Sequence, residues 1–360
     1  MANIHIIFHS FSITIFSFLL LINVQRIKSS VMMADSEQQS NTAAINKTTK
    51  LKSGYYIPVV GLGTSRIAST DELVVQAIKD AIDVGYRHID TADFYQNEKA
   101  IGQALDELIR DGKIKRNELF ITTKVWSNYH TKELALQSVR QSLTNLRLDY
   151  LDLVLIHWPM SFKSGSDLVP KFPNDTIIGS DLSKENFELA YQGLEDACDQ
   201  NLTRSIGVSN FNIKQLEKLL SVENRRHKPV VNQVECHPHL NQEKLLEYCC
   251  NNSIYLVAYS PLRRANVALF DEPKLKQIAL EHNRTIAQII LRWQLQRHVI
   301  VIPRTGKKHR MLENISLFDF HLNQTEMSTI KSLDRSKNNE GREIKFDSAS
   351  HLPEYPFVDN

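Results

Sequence analysis

Cysteine is scarce in this chain of 360 residues. Its four cysteines are Cys198, Cys236, Cys249 and Cys250, and no two of them have the C-x-x-C spacing. Cys249 and Cys250 are adjacent, a spacing at which two cysteines rarely bridge each other. The pattern therefore indicates reduced thiols in a reducing compartment rather than a disulfide framework.

The chain also lacks an excess of charge of either sign. Its 43 basic and 41 acidic residues give a formal net charge of +2. This balance argues against nucleic acid or an acidic membrane surface as the main partner. A hydrophobic content of 42% is enough for a sizeable core and argues against wholesale disorder. The length fits one large α/β barrel or two domains, and length alone does not choose between them.

The N-terminal region holds a long hydrophobic run, IHIIFHSFSITIFSFLLLINV at 4–24, which is a membrane-span candidate. It is a poor signal peptide because it lacks a basic n-region and a small-x-small cleavage site. If it spans, Arg26 and Lys28 on its C-terminal side would leave the rest of the chain in the cytoplasm. Alternatively, translation starts at Met32 or Met33. We expect a cytoplasmic protein in which 1–50 form this segment and a disordered, polar linker from 25 to 50.

From residue 51 onward, short apolar runs alternate with longer amphipathic stretches. In 71–85, Leu73, Ala77, Ala81 and Val84 recur at helical spacing. The eightfold alternation predicts a parallel (β/α)8 barrel over 51–360. We further predict an N-terminal β-hairpin at the barrel floor, a substrate-side loop at 159–182 and a C-terminal tail loop across the surface past 335. The candidate strands are 59–64, 88–92, 119–125, 151–158, 204–210, 230–236, 255–262 and 299–304.

Polar side chains follow three of these strands. Asp90 and Tyr95 lie in GYRHIDTADFYQNE, Lys124 lies at the end of the strand in FITTKVW, and His157 ends LDLVLIH. Because the C-terminal ends of barrel strands meet at one rim, the four side chains should converge. The ammonium of Lys124 would lower the pKa of the Tyr95 phenol, and the Asp90 carboxylate would compensate the positive charge of that ammonium. The imidazole of His157 could orient a carbonyl oxygen by a hydrogen bond. The set predicts an acid catalyst for carbonyl reduction.

Each of these residues also has a structural explanation. Asp90 could cap the next helix, Tyr95 could be ordinary packing, His157 a satisfied core histidine, and Lys124 a strand-end side chain reaching solvent. Four such coincidences on one rim are less probable than one. No G-x-G-x-x-G fingerprint accompanies the set. The basic segment IPRTGKKHRMLEN at 302–314 instead follows the eighth strand, where barrels hold phosphates.

Seven stretches together resemble the aldo-keto reductase family, in its aldose/aldehyde reductase group. They are GYRHIDTADFYQNE, ITTKVW, LDLVLIHWP, IGVSNFN, VNQVECHP, VAYSPL and IPRTGKKHRMLEN. The resemblance implies that Tyr95 is the proton donor, assisted by Lys124 and Asp90, and that His157 orients the carbonyl. It implies NADPH/NADP+ as the cofactor, a small-molecule carbonyl substrate near His157, Trp126 and Trp158, and a monomer. The implied cofactor-binding residues are Gly63, Thr64, Asp90, Ser209, Asn210, Gln233, Tyr259, Ser260, Leu262, Arg304, Thr305, Arg310, Glu313 and Asn314.

The chain departs from the family pattern at three places. Ser65 stands where the family has a Trp, so the pocket should be apolar but wider. Arg263, followed by Arg264, replaces a Gly after Ser-Pro-Leu, so the clamp over the cofactor should behave differently. Arg304 replaces a Lys, which keeps the charge. The stretch ECHPH at 235–239 lacks a second cluster that would complete four ligands, and we expect no metal.

The sequence therefore predicts an NADPH-dependent aldehyde and ketone reductase in the cytoplasm. One alternative is a non-catalytic NADP(H)-binding regulatory or structural relative, although such a protein would need no proton donor. A second is an enzyme tethered to a membrane through 4–24.

Overall fold

The structure is a computed structural model that describes residues 47–337 and 340–357. The hydrophobic segment 4–24 and most of the expected linker lie outside the described residues. Within the described ranges, no helix has the length and apolar character needed to cross a membrane. The expected linker ends earlier than residue 50, because Thr48–Lys50 already pairs as a strand.

A parallel eight-stranded sheet forms the centre of the described chain, preceded by a two-stranded antiparallel hairpin. Strands β1 and β2 form the hairpin, and β3 to β10 follow one another around the sheet in chain order. The strands of the parallel sheet all lie within the ranges predicted for them. The strands are β1 Thr48–Lys50, β2 Tyr56–Pro58, β3 Leu62–Gly63, β4 His88–Asp90, β5 Phe120–Val125, β6 Leu153–Ile156, β7 Ile206–Ser209, β8 Val231–Glu235, β9 Tyr255–Tyr259 and β10 Ile300–Val301.

The sheet closes on itself where its last strand meets its first. Val60 forms a parallel bridge with Val301, and Gly61 N donates to Val301 O at 2.8 Å. Gly63 N donates to Pro303 O at 3.1 Å. We call this contact between 59–63 and 301–303 the seam. The predicted parallel (β/α)8 barrel is confirmed.

Helices cover the outside of the barrel and connect its strands. They are α1 Asp71–Val84, α2 Glu98–Arg110, α3 Lys132–Leu146, α4 Phe187–Asp199, α5 Ile213–Leu220, α6 Glu243–Asn251, α7 Val267–Phe270, α8 Pro273–Glu281, α9 Ile286–Gln296, α10 Lys308–Ile315 and α11 Gln324–Lys331. Short 3-10 turns at Asp93–Tyr95, Arg116–Glu118, Arg263–Ala265 and Asp347–Ala349 shape the loops.

Helix α1 has the predicted buried face at Ala77, Ala81 and Val84, but not at Leu73. The Thr70 hydroxyl accepts a hydrogen bond from Leu73 N at the start, and Gly85 ends the helix in the left-handed region at φ 116°. The buried face includes Val74 and Ile78, whereas Leu73 is 52% exposed. Leu73 is adjacent to Val74, and a step of 100° per residue turns it away from the barrel.

The hairpin closes the barrel floor, as predicted. Leu51 and Ile57 are buried together with Phe120, Val231 and Ile300, which lie at or near the starts of their strands. These side chains form an apolar plug beneath the barrel interior. The plug leaves the opposite, C-terminal end of the strands for a site.

The C-terminal tail packs more deeply than a surface loop. Ala349 is fully buried, and Phe346 makes edge contacts with Trp158 and Phe162. Ile177 N, in the loop predicted to face the substrate, donates to Ser348 O at 2.9 Å. Ala349 and Tyr355 of the tail belong to one buried cluster with Trp126, Trp158 and Phe162. The apolar residues of the tail have no helical spacing, so the sequence did not indicate this packing.

Candidate active site

A cavity of about 1210 Å³ opens at the C-terminal ends of the barrel strands. Every predicted site residue lines it except Lys124, which lies beneath its floor. Small-molecule pockets typically have volumes of about 300–1,000 Å³, so this one has room for a dinucleotide together with a substrate. We call the end lined by Asp90, Tyr95 and His157 the catalytic end, after the chemistry that the sequence predicts for it. The end lined by Arg66, Arg264, Arg304 and Arg310 is the cationic end, and the tail forms part of the rim.

At the catalytic end, Lys124 contacts both Asp90 and Tyr95. Its Nζ donates to Asp90 Oδ1 at 2.6 Å, to Thr91 O at 2.8 Å and to Tyr95 Oη at 3.3 Å. Lys124 and Asp90 are each 1% exposed. The three hydrogen bonds use all the donors of the ammonium, so its position is fixed. The strand ends thus bring Asp90, Lys124 and Tyr95 into direct contact.

Asp90 is held on its other side by the barrel. Gln233 Nε2 donates to Asp90 Oδ2 at 2.7 Å, and Thr64 Oγ1 donates to the backbone carbonyl of Asp90 at 2.9 Å. Burial lowers the pKa of Lys124, while the Asp90 charge and hydrogen bond oppose that shift. The ion pair therefore keeps a charged lysine in a dry environment, where an unpaired one would lose its proton.

The pKa of Tyr95 differs from the sequence-based expectation. Burial first, and then the negative charge of Asp90, raise the pKa of Tyr95 well above its ordinary value of 10.0. The expected lowering by Lys124 is not seen, because Asp90 offsets the ammonium and the pocket removes water from the phenol. Tyr95 is therefore fully protonated at neutral pH. A proton can leave it only if the resulting phenolate is stabilised at once by Lys124.

His157 lies beside Tyr95 as a neutral ring. Burial first, and then the charge of Lys124, lower the pKa of His157 well below its ordinary value. Its ring centroid is 5.6 Å from that of Tyr95 and 5.0 Å from that of Trp126, edge-on in both cases. A neutral imidazole next to a phenol can donate one N–H to a carbonyl oxygen without competing for the phenol proton.

A second polar network lies on the floor, on strands β7 to β9. Tyr259 Oη donates to Asn210 Oδ1 at 2.8 Å, and Asn210 Nδ2 donates to His157 O at 2.9 Å. Ser209 Oγ donates to Gln233 O at 2.8 Å. The contacts link the ring of Tyr259 to the backbone of His157, so a flat group against Tyr259 would meet a rigid surface.

The cationic end combines two predicted cofactor-binding residues with two further arginines. Arg304 and Arg310 line it as expected, and Arg66 and Arg264 line it too. The sequence indicated Arg264 only as a departure in the clamp over the cofactor, and it did not indicate Arg66. Partial burial, and then the charges of Arg264 and Arg66, lower the pKa of Arg304. Among the described residues, none of the four forms an ion pair with an acid. Crowded guanidinium groups without counter-charges suit a polyanionic ligand such as a dinucleotide phosphate.

Two lysines of the basic segment do not reach this end. Lys308 Nζ pairs with Asp83, outside the cavity, and Lys307 is not among the lining residues. Arg304 Nη1 donates to Ser65 O at 3.2 Å and to Arg66 O at 2.7 Å, which joins the two sides of the seam. Thr305, Glu313 and Asn314 line the cavity beyond them.

Aromatic rings form the wall around the catalytic end. Trp126 stacks on Phe94 with centroids 3.7 Å apart, and Phe346 of the tail lies 6.2 Å from Trp126. Phe94 and Phe346 were not predicted, because an aromatic in a loop carries no periodic signal. Ser65 lines the cavity, as expected. The lining residues include none from 159–182. That loop instead supports the wall from behind, where Leu168 O accepts from Trp126 Nε1 at 2.5 Å.

The ECHPH stretch serves the tail. Glu235 Oε1 accepts from Glu343 N at 2.9 Å and Glu235 Oε2 from Ile344 N at 3.0 Å, while His237 Nε2 contacts Glu235 Oε1 at 3.1 Å. His239 Nε2 contacts Glu272 Oε1 at 2.8 Å. In the part of the chain that the structure describes, no group of three or more His, Cys, Asp or Glu side chains is placed to hold a metal ion.

Comparisons with known proteins agree with this geometry. Residues 59–335 match the family model described as "Aldo/keto reductase family". Prostaglandin F synthase 1 of Bos taurus is 42% identical over 324 residues, 87% of this chain and 98% of that protein. Estradiol 17 beta-dehydrogenase 5 of Mus musculus is 41% identical over 90% of this chain and 99% of that protein.

Among solved structures, the aldose reductase from Schistosoma japonicum has a TM-score of 0.80 at 37% identity, covering 86% of this chain and 98% of that one. The shared barrel and the extent of both matches lead to one conclusion: the chain belongs to the aldo/keto reductase family.

Proposed function

We propose that this protein reduces aldehydes and ketones to alcohols with NADPH, and that Tyr95 donates the proton. The observation that carries the proposal is Lys124, buried under the cavity floor between Asp90 at 2.6 Å and Tyr95 at 3.3 Å. A protein that only bound a dinucleotide would gain nothing from a buried ammonium against a phenol, because burying that charge is expensive.

The cofactor would lie along the cavity between its two ends. Ser209, Asn210 and Gln233 would hold the carboxamide, and Tyr259 would stack against the nicotinamide ring. Gly63, Thr64 and Asp90 would lie next to that ring. At Gly63 a larger residue would not fit, because an added Cβ would approach Ile302 O to 2.8 Å. Ser260 and Leu262 would follow the pyrophosphate. Arg304, Thr305 and Arg310 would contact the adenosine 2′-phosphate, with Glu313 and Asn314 at the adenine.

When bound, the nicotinamide supplies the hydride that adds to the carbonyl carbon. Tyr95 Oη gives its proton to the carbonyl oxygen, so that its O–H bond breaks as the O–H bond of the alcohol forms. Lys124 stabilises the phenolate that remains, Asp90 balances Lys124, and solvent returns a proton to Tyr95. Neutral His157 donates a hydrogen bond to the carbonyl oxygen and fixes its direction.

The substrate would be a small-molecule carbonyl compound lying against Trp126, Trp158 and His157. Ser65 leaves open the part of the wall beside Tyr95, which favours compounds larger than a simple aldehyde. The names of two relatives, a prostaglandin synthase and an estradiol dehydrogenase, refer to bulky compounds and agree with a wide pocket.

We place the protein in the cytoplasm as a monomer. Its four cysteines are free thiols, which suits a reducing compartment. Asn314 belongs to an N-x-S/T sequon yet is 4% exposed and lines the cavity, so a glycan there would be incompatible with the fold.

The deciding experiment measures NADPH consumption with a generic aromatic aldehyde, using Tyr95→Phe as the matched control. We expect turnover by the unmodified protein and a loss of about 10²–10⁴-fold in the variant, since only the transferable proton is removed. NADPH binding, followed by fluorescence, should be the same in both. Near-normal turnover in Tyr95→Phe would refute the acid assignment. NADPH binding without turnover of any aldehyde or ketone by the unmodified protein would favour the non-catalytic alternative.

A further inference from the structure

The loop that follows β9 and the C-terminal tail both line the cavity and touch each other through an ion pair with neighbouring hydrogen bonds. The lining residues of the loop include Ser260, Leu262 and Arg264, and those of the tail are Glu343, Ile344, Lys345 and Phe346. Between them, Arg263 Nε donates to Glu343 Oε1 at 2.7 Å. The side chain of Arg263 is 10% exposed, so the pair is largely protected from solvent and salt.

Arg263 is held in place by the ECHPH stretch. Its Nη1 lies 2.5 Å from His239 Nδ1, and His239 Nε2 lies 2.8 Å from Glu272 Oε1. Because an arginine can only donate, Nδ1 of His239 must be the acceptor and Nε2 carries the proton toward Glu272. Asn266 Nδ2 adds a hydrogen bond to Glu343 Oε1 at 3.1 Å. Arg263 therefore has one geometry, set by groups on both sides.

The backbone at this point is unusual. Arg263, Arg264 and Ala265 have φ values of 48°, 54° and 59°, in the left-handed region that residues other than glycine seldom adopt. Three such residues in a row need contacts that hold them. The Arg263 side chain supplies contacts of this kind, so the loop conformation and the position of Glu343 depend on each other.

We propose that Arg263 and Glu343 are positioning residues that couple the nucleotide side of the cavity to its substrate side. The inference rests on the proposed NADPH binding. A dinucleotide phosphate held along the loop favours one loop conformation, the loop fixes Arg263, and Arg263 fixes Glu343. Glu343 is followed directly by the tail residues of the cavity rim, and Phe346 completes the aromatic wall beside Trp126. Bound NADPH would thereby order the rim that receives the carbonyl compound.

The test measures tryptic cleavage after Lys345, an exposed tail residue that also lines the cavity, with and without saturating NADPH. Direct shielding of Lys345 by NADPH would persist in Glu343→Gln, whereas protection through the coupling would not. In the unmodified protein, NADPH should slow this cleavage at least about fivefold, the lower end of common coupling strengths. In Glu343→Gln, which keeps the side-chain volume and both backbone hydrogen bonds to Glu235, NADPH should still bind but protect much less. Arg263→Met should behave alike, and Arg263→Lys should recover part of the protection.

Glu354→Gln is the control. Glu354 lies in the same tail, but its side chain pairs with Lys218 of α5 at 3.4 Å and its carbonyl accepts from Gln215 of α5. Its NADPH-dependent protection should equal that of the unmodified protein. With an aromatic carbonyl substrate, Glu343→Gln should raise KM with little change in kcat, because the chemical groups are untouched.

Two results separate failure of this inference from failure of the proposed function. NADPH binding with equal protection in the unmodified protein, Glu343→Gln and Arg263→Met would overturn the coupling alone. Absence of NADPH binding to the unmodified protein would overturn the proposed function and the coupling with it. If Arg263→Met does not fold, Glu343→Gln and Arg263→Lys still decide the question.

Discussion

At the catalytic end of the cavity the polar groups are buried and paired, whereas the arginines of the cationic end are exposed and form no ion pair with an acid of the described chain. Lys124 and Asp90 are each 1% exposed and lie at strand ends. Arg264 and Arg310 lie on a loop and a helix and are exposed to solvent. One cavity thus contains a buried cation paired with a carboxylate and exposed cations without such a pair.

The difference shows how exposure to solvent sets the strength of an electrostatic interaction. Removing water strengthens an electrostatic contact and shifts pKa values, as at Tyr95 and His157. Exposed arginines are screened by solvent and salt, so each contributes less but adapts to a ligand that arrives already charged. Changes at the catalytic end should therefore have larger effects than changes at the cationic end.

The largest effect in this comparison is expected for Lys124→Met. Without the ammonium, the phenolate of Tyr95 is unsupported and Asp90 is left as a buried, unpaired carboxylate. We expect a loss of kcat approaching that of Tyr95→Phe, about 10²–10⁴-fold, with NADPH affinity little changed. Steady-state kinetics and NADPH titration measure both. Turnover within a few-fold of the unmodified protein would mean that the Lys124–Asp90 pair has a structural role only. Burial of a charged pair would then not indicate a catalytic role.

A smaller effect is expected for Arg310→Met. The unmodified protein should prefer NADPH to NADH, because a charge-assisted hydrogen bond to the 2′-phosphate contributes about 1.5–3 kcal/mol. The variant should lose about 10-fold or more in kcat/KM for NADPH, with NADH unaffected and with less dependence on salt. Lys308→Met is the control, since Lys308 pairs with Asp83 outside the cavity. Equal efficiency of the unmodified protein with both cofactors would contradict the position given to the 2′-phosphate.

The smallest effect is expected for Ser65→Trp, between the two ends. An aromatic ring at this place would close the wall beside Tyr95 and stack on flat substrates, a contact worth about 0.5–1.5 kcal/mol beyond area burial. KM for a small aromatic aldehyde should fall a few-fold, and KM for a bulky ketone should rise through steric exclusion. If the two KM values move together, or neither moves, Ser65 does not shape the substrate pocket.

The strand ends were readable from sequence because parallel strands leave a regular trace. A short apolar run that ends in a polar residue located Asp90, Lys124 and His157 at one rim. The basic segment around Arg304 was readable for the same reason, since it directly follows a strand.

The parts that were missed depend on contacts between distant segments. Phe346 reaches the aromatic wall because the tail is held by Glu235, more than a hundred residues away in the chain. Arg66 contacts Arg304, more than two hundred residues away in the chain, because the barrel closes. The pKa of Tyr95 depends on how deeply the phenol is buried, which no local pattern encodes. Leu73 was placed on the wrong face since several apolar residues in α1 offered more than one stripe.

The seam has a consequence for how the protein is made. It joins 59–63 to 301–303, so the first and last strands of the barrel meet only after nearly the whole chain has left the ribosome. Contacts so distant in sequence form late and slowly. The hydrogen bonds from Arg304 Nη1 to Ser65 O and Arg66 O cross the same seam. A nascent chain can therefore form helices and strands well before the proposed nucleotide site is assembled, and truncation before β10 removes Arg304 and Arg310 from that site.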